Sequence, residues 1–428
     1  MVGAGACRMV EPGDSLDRGH MRRDASPDLA PETPAPAGPP YTSPTGRLVG
    51  LDLARGLAIL GMYSAHVGPD PSVGGALGWA MEAARGRSAT LFAVLAGFTL
   101  VILTGRPRPR TGRAGRQAVG KVLIRSFSLI ALGYVLTSLD THVLVILSYY
   151  GVLFLLALPL YRLRAAALVA IAATSALVMP HVLYLLRAAV DDGSWSDTLI
   201  AHDPLARATD SDGIVELFVT GAYPVLTYLP YIVTGMAVAR LDLRRPGVVG
   251  RVGLLGGVLA VSGYGGSWLA LRLVPGALEG VREASATGTA ASAWWSDAVG
   301  ANPVPGMPAW LLVAAPHSQT TLSVVANTGV ALAVVAACLI GTGRSARLRW
   351  VATPVSAVGS IALTVYAGHI VAIDALGTGD LPDSAALPVL LSFAAAAMLF
   401  AVVWTRCFRR GPLEYLLHVL TMPARLIP

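Results

Sequence analysis

Apolar residues gather in long runs separated by short polar stretches, and ten of these runs have the length of a membrane-crossing helix. They fall at roughly 48–66, 88–104, 119–138, 143–160, 165–186, 220–239, 251–273, 320–341, 355–373 and 386–406. The pattern predicts an all-α fold, a polytopic transmembrane helical bundle of about ten helices. Two polar segments, about 187–219 and 274–319, are too long to be simple connectors and are expected to shape an external mouth. Residues 1–46 mix Pro, Gly, Ser and charge and hold too few apolar residues to fold alone, so they read as a disordered cytoplasmic tail. That tail has no run resembling a signal peptide, and Met9 and Met21 are alternative starts. In segment 407–428, Leu413, Leu416, Leu417 and Leu420 follow Pro412 at helical spacing, which predicts an amphipathic cytoplasmic helix on the inner membrane surface. The membrane domain is then 47–406.

The first run, RLVGLDLARGLAILGMYSAH, departs from the others. Over about 28 Å it carries Asp52 and Arg55 near one end and His66 at the other. Helical steps place Arg55, Ile59, Met62 and His66 on one stripe with Asp52, and such a stripe must face protein or a cavity rather than lipid.

Composition agrees with a membrane protein: 54% hydrophobic, 13% charged, mean hydropathy +0.62. Charge changes the picture by giving an orientation. Arg106, Arg108, Arg110, Arg113, Arg116 and Lys121 share one connection, and alternate connections repeat the pattern with Arg162 and Arg164, Arg240 to Arg245, Arg344 to Arg349 and Arg406 to Arg410. Basic loops stay inside, so both termini are expected in the cytoplasm of a bacterial plasma-membrane protein. The net charge of +7 follows from that topology and calls for no nucleic acid. Cys7, Cys338 and Cys407 offer neither an external disulfide nor ligand spacing for a metal.

Ionisable residues inside a membrane domain cost about 2.5–3.5 kcal/mol each on insertion scales, which makes each a candidate for function. Asp52 and Arg55, one turn apart, read either as an orienting ion pair or as a donor-binding site in which Arg55 faces phosphates. His66 lies where an external acceptor could be deprotonated, although a helix-end histidine is more often merely hydrogen-bonded. Asp140 and His142 are held near the outer surface by a short connection, and a carboxylate there can orient an imidazole. Arg87, at the outer start of the second helix, could hold an anionic acceptor group or anchor to lipid. In TGAYPVLTYLPYIVTG, Pro224 and Pro230 should open or kink the sixth helix around the acceptor-side Tyr223. In the ninth, Tyr366 and His369 share a face at i, i+3 beside small residues suited to close packing.

The motifs RLVGLDLARGLAILGM, GRSATLFAVLAG, ILSYYGVLF, TGAYPVL, ALTVYAGH and GPLEYL occur in an order that resembles the YeiB-like bacterial membrane proteins. Those in turn resemble the membrane acyltransferases that include heparan-α-glucosaminide N-acetyltransferase. The resemblance spans about residues 47–420 and implies transfer of an acyl group from cytoplasmic acyl-CoA to an amino sugar or other envelope acceptor. On this acyltransferase reading His66 is the general base or a transient acyl carrier and His369 a second catalytic candidate, with Asp52 and Arg55 on the donor side and Arg87, Asp140, His142 and Tyr223 on the acceptor side. One departure stands out: the eukaryotic enzymes have Asn where His66 stands and a proposed catalytic His later in the first external loop, and residues 67–87 contain none. Expected partners are membrane lipid, acyl-CoA as donor substrate, and a glycan or lipid-linked acceptor, with no tightly bound cofactor and a homo-oligomer left open. A transporter or flippase is the rival, weakened because the Pro-broken sixth helix has no counterpart in a second half. A non-catalytic scaffold is the third reading.

Overall fold

The computed structural model describes residues 48–139, 141–191, 193, 195–203, 206, 212–285, 290–296, 306–378 and 382–428. Asp140 and the 1–46 tail lie outside the described residues, among which there are sixteen α-helices and no strand. The chain begins with α1 (Val49–Val67), passes through α2 (Gly75–Ala84) into α3 (Arg87–Thr104), and continues as α4 (Gly112–Thr137), α5 (Leu147–Ala157) and α6 (Ala165–Asp191). Next come α7 (Ser196–His202), α8 (Val225–Arg240), α9 (Val248–Leu273), α10 (Ala277–Ala284) and α11 (Thr321–Arg344). The last five are α12 (Ala346–Val351), α13 (Thr353–Ser360), α14 (Ala362–Leu376), α15 (Asp383–Cys407) and α16 (Pro412–Leu420).

Among the described residues, six helical stretches are long and apolar enough to cross a membrane: α2 with α3, then α4, α6, α9, α11 and α15. The pair α13 and α14 makes a seventh if taken as one bent span. This is a multi-pass membrane protein. Each of the ten predicted runs overlaps a helix, the ninth overlapping two, but α5 (11 residues) and α8 (16 residues) are shorter than a full span. Exposed leucines and valines such as Leu254, Val258, Val261, Leu399 and Val403 form the surface a bilayer would cover.

Helix α1 is central, packed against α3, α11, α13 and α15. Its polar stripe faces inward: Asp52, Ile59 and Met62 are buried, and Arg55 and His66 half-buried. Glycine permits the tightest crossing, because a Cβ at Gly56 would overlap the Val355 carbonyl and one at Gly359 the Asp52 carbonyl.

The predicted ninth helix is not straight. It breaks at Ile361, where α13 and α14 meet at 88°. No proline causes the break. A new helix start exposes N–H groups that lipid cannot satisfy. Here Glu414 of α16 supplies the acceptor, taking hydrogen bonds from Leu363 N (2.7 Å), Thr364 N (3.3 Å) and Thr364 Oγ1 (2.6 Å). The C-terminal segment, expected along the membrane surface, thus reaches into the bundle through one carboxylate. In the sixth predicted helix, Pro224 is the N-cap of α8 and starts it, while Pro230 lies inside.

The two long polar segments are folded where described. Trp310 is buried with Leu271, Val281 and Val313 in a small core of its own, and Arg187 donates to Val219 O (2.8 Å) and Gly221 O (3.3 Å). Asp70 orders the loop after α1 by accepting from Ser72 N (2.9 Å) and Arg85 (3.1 Å), and the Ser72 N–H holds its carboxyl below the usual range.

Candidate active site

Two imidazoles 303 residues apart in sequence meet between α1 and α14. His66 Nδ1 lies 2.9 Å from His369 Nε2, with ring planes within 3° of parallel and centroids 5.1 Å apart, as two rings joined edge to edge in one plane. Their protonation follows from the end of the chain. His369 Nδ1 is hydrogen-bonded to the Tyr366 carbonyl, which can only accept, so Nδ1 carries the hydrogen. In a neutral ring, His369 Nε2 is then a lone pair, and His66 Nδ1–H must donate to it. The lone pair of His66 is left on Nε2, free of the relay.

Aromatic rings fix this pair. Tyr63, one turn before His66, stacks on His369 with centroids 4.4 Å apart, and its hydroxyl donates to Val365 O (2.9 Å). Tyr366 meets His369 edge-on at 5.1 Å and its hydroxyl accepts from Ile146 N (3.1 Å). His369 is buried, whereas His66 stays partly open. His142, exposed, donates from Nε2 to the His66 carbonyl (2.9 Å), so it closes the last turn of α1 rather than touching the His66 ring.

The neighbouring loops add groups that periodicity could not place. Tyr223 is buried with its ring edge-on to Tyr149, Tyr228 and His317, at 5.6, 5.5 and 5.6 Å. Gln319 accepts from Thr227 Oγ1 (2.6 Å) and donates to Ala222 O (3.2 Å), which locks the Pro224 turn to the segment before α11. His317 and Gln319 both hold φ of +59°, an unfavourable backbone for either residue. Burial pulls the His317 imidazole below its ordinary value, and its Nδ1 is buried with no hydrogen-bond partner among the described residues. His317 falls in the polar segment 274–319, which the sequence assigns to an external mouth without singling out this residue.

Arg87 is 8% exposed and its donors are engaged by the protein: Tyr264 Oη (2.7 Å), Glu82 O (2.8 Å) and Trp295 O (2.5 Å). It ties α3 to α9 and to the Trp295 turn, and is not part of the pocket at the imidazole pair. Nothing in the local sequence signals these partners, which lie up to 208 residues away.

Toward the other end of α1, at Arg55, about 17 Å from His66 by helical rise, the surroundings are basic. Arg55 donates to Asp52 Oδ1 (3.0 Å) and Thr99 Oγ1 (2.9 Å) at the wall of a cavity of about 980 Å³. Arg55, Arg106, Arg108, Arg110, Arg240 and Arg244 line it against two aspartates, Asp52 and Asp242. Arg106 donates to Ala239 O (2.8 Å) and Arg240 to Gly105 O (2.6 Å), a reciprocal pair of clamps that shapes the rim. Arg108, Arg110 and Arg244 make no side-chain hydrogen bond among the described residues, so their guanidinium groups remain for a ligand.

Two smaller cavities adjoin it through shared residues. One of about 470 Å³ shares Ile102 and Arg110 with the first and adds Lys121, Arg125, Arg409, Arg410 and Arg425. A narrow third, about 180 Å³, shares Arg55 with the first and Arg125, Ser360 and Glu414 with the second. Its inner end is formed by Tyr150 and Tyr366, and Tyr366 is the ring that touches His369. A basic vestibule is therefore joined by shared residues to the imidazole pair.

Comparison with known proteins bears on what such an arrangement is for. Residues 47–249 match the family model described as heparan-alpha-glucosaminide N-acetyltransferase, catalytic, and residues 284–424 match the one described as protein of unknown function (DUF418). The two matches together support a YeiB-like, heparan-α-glucosaminide N-acetyltransferase-like transmembrane family. No curated protein matches it. For this YeiB-like chain the first match carries a membrane acetyltransferase-like function. Of the imidazole pair, His66 lies in the first matched region and His369 in the second.

Proposed function

We propose that the protein is a plasma-membrane acyltransferase that takes an acyl group from cytoplasmic acyl-CoA and gives it to an amine or hydroxyl of an envelope glycan or related acceptor outside. The observation that carries this reading is the tautomer chain from Tyr366 through His369 to His66, which leaves a lone pair on His66 Nε2. In the reaction the acceptor nitrogen or oxygen attacks the thioester carbonyl while His66 Nε2 takes its proton. The new C–N or C–O bond forms, the C–S bond breaks, and the proton passes from His66 to the departing thiolate, giving free CoA and a neutral imidazole. His369 Nε2 accepts from the transient His66 cation and steadies it. Burial of His369 between two tyrosines keeps that acceptor in place.

The basic vestibule suits the donor. The nucleotide end of acyl-CoA carries three phosphate groups, and free guanidinium groups on a cavity wall bind phosphate oxygens as paired donors. The narrow cavity beyond admits a slender chain such as the pantetheine arm. Replacing Arg108, Arg110 and Arg244 together by Gln should weaken acyl-CoA binding by about 10²-fold, each charged hydrogen bond contributing roughly 1.5–3 kcal/mol before screening. The change should shrink in high salt. Titration of the detergent-solubilised protein with a fluorescent CoA analogue measures it, and equal affinity of variant and wild type would remove the vestibule from the donor path.

Sidedness is tested separately. With Cys7 and Cys407 changed to Ser, a cysteine placed at Ser72 should react with an impermeant maleimide on intact cells, and one at Thr111 should react only after lysis. Labelling of Thr111→Cys from outside would invert the mechanism.

A further inference from the structure

A second cavity reaches the imidazole pair from the side of the bundle. It measures about 470 Å³ and lies between α14 and α15, with Tyr63 and His369 at its floor. Gly368 and Ala372 on one wall face Ala396 and Ala397 on the other, and these small residues leave the volume that larger ones would fill. Resting on the acyltransferase reading, we propose that this groove holds the hydrocarbon tail of a membrane-anchored acceptor, which reaches His66 laterally from the bilayer.

The groove has nothing to offer a sugar or water. Each polar side chain on its wall is engaged elsewhere: Tyr63 Oη donates to Val365 O (2.9 Å), Thr364 Oγ1 to Glu414 (2.6 Å), and Ser392 Oγ to Pro388 O (2.8 Å). Both ring nitrogens of His369 are taken up by Tyr366 and His66. A polar ligand would lose its hydration with no partner gained, whereas methylene groups lose nothing.

Its mouth opens toward hydrocarbon. Leu376 and Phe400 at the rim are exposed, and α15 carries Leu391, Leu399 and Val403 on the surface a bilayer would cover. A chain entering there from the bilayer crosses no water. The two approaches to the pair also differ in charge. The passage ending at Tyr366 is lined by Arg55, Arg125 and Glu414, fit for the donor and hostile to a tail, while the residues lining this groove include no Arg, Lys, Asp or Glu. A tail lying on Tyr63 and His369 would hold its headgroup next to His66, where the proton must leave. Bulk phospholipid could enter the same groove, but it would bring no nucleophile to that point.

Full-length protein in phospholipid nanodiscs, given acetyl-CoA, can be offered dodecyl β-glucosaminide and its tail-less counterpart, methyl β-glucosaminide. Wild type should acetylate the dodecyl compound with the higher kcat/KM. Filling the groove with Ala397→Phe, or from the other wall with Gly368→Leu, should lower that value about tenfold or more, as expected when a few methylenes lose their place in an apolar pocket. Transfer to the methyl compound and acetyl-CoA binding should stay unchanged. Equal loss for both acceptors, or no loss for the dodecyl one, would overturn the proposal.

Photocrosslinking separates the groove from the chemistry. A dodecyl glucosaminide with a diazirine at its chain end should label the segments around Ala372 and Ala396, and unlabelled dodecyl glucosaminide, but neither the methyl glycoside nor phosphatidylglycerol, should compete. Labelling scattered over the exposed helices, or competed equally by phosphatidylglycerol, would defeat the tail site itself. Focused labelling with no acetyl transfer to any acceptor would instead defeat the acyltransferase reading and leave the groove as a tail-binding site.

Discussion

Replacing His66 by Gln should lower acyl transfer by about 10²–10⁴-fold while leaving protein abundance and acyl-CoA affinity at wild-type levels. The amide keeps a donor that can reach His369 Nε2, so the contact between α1 and α14 survives, but it cannot take a proton from the acceptor. His369→Gln should be milder. It removes the acceptor that steadies the His66 cation, not the base itself, so the pH profile of the residual activity should move while the His66 variant merely loses amplitude. Envelope acylation measured by mass spectrometry, with single-turnover kinetics on the purified protein, reads both effects. Near-native transfer by His66→Gln would place the base elsewhere, with His317 the next residue to change, because its buried Nδ1 has no partner among the described residues.

Glu414→Ala should be the most damaging change to stability among the residues described, at about 3 kcal/mol. Its carboxylate accepts two backbone N–H groups and one hydroxyl at the helix start that follows the bend, and Ala leaves all three donors without that acceptor. It also faces Arg125, which is left without its compensating charge. Glu414→Gln retains an oxygen acceptor and should lose less. Thermal unfolding in detergent, followed by retention of the monodisperse peak on gel filtration, ranks the two. An Ala variant that melts with wild type would mean that the bend at Ile361 stands without its cap.

The ten helical runs could be read from the chain because a membrane span must satisfy its backbone internally and cover its sides with carbon, both of which act locally along the sequence. The Asp52 and Arg55 pair was legible for the same reason, since i, i+3 spacing brings the two side chains together, and the structure has them at 3.0 Å. Likewise Tyr366 and His369 were placed on one face, and they touch. What was hidden depended on segments far apart. Hydropathy runs unbroken through VSAVGSIALTVY, so the 88° bend left no trace in it; the carboxylate that caps the new helix start comes from a glutamate about fifty residues later. Pro224 read as a break but begins α8, because a proline outside the first turn lacks only an N–H that no carbonyl was waiting for. Arg87 looked available at a helix start, yet Tyr264 and Trp295 close over it. The meeting of His66 with His369 had no local signature at all.

That meeting bears on how the two family matches should be read. The boundary between them, somewhere in residues 250–283, looks like a seam between modules. Yet the hydrogen bond from His66 to His369 runs across it, and so does the crossing of α1 with α13 at Gly56 and Gly359. The halves are not interchangeable parts. A chimaera that exchanged residues 284–424 with those of a relative would exchange one imidazole of the pair and the surface on which the other rests. Two separately expressed halves would each hold a single ring and remain inert until they reassociated.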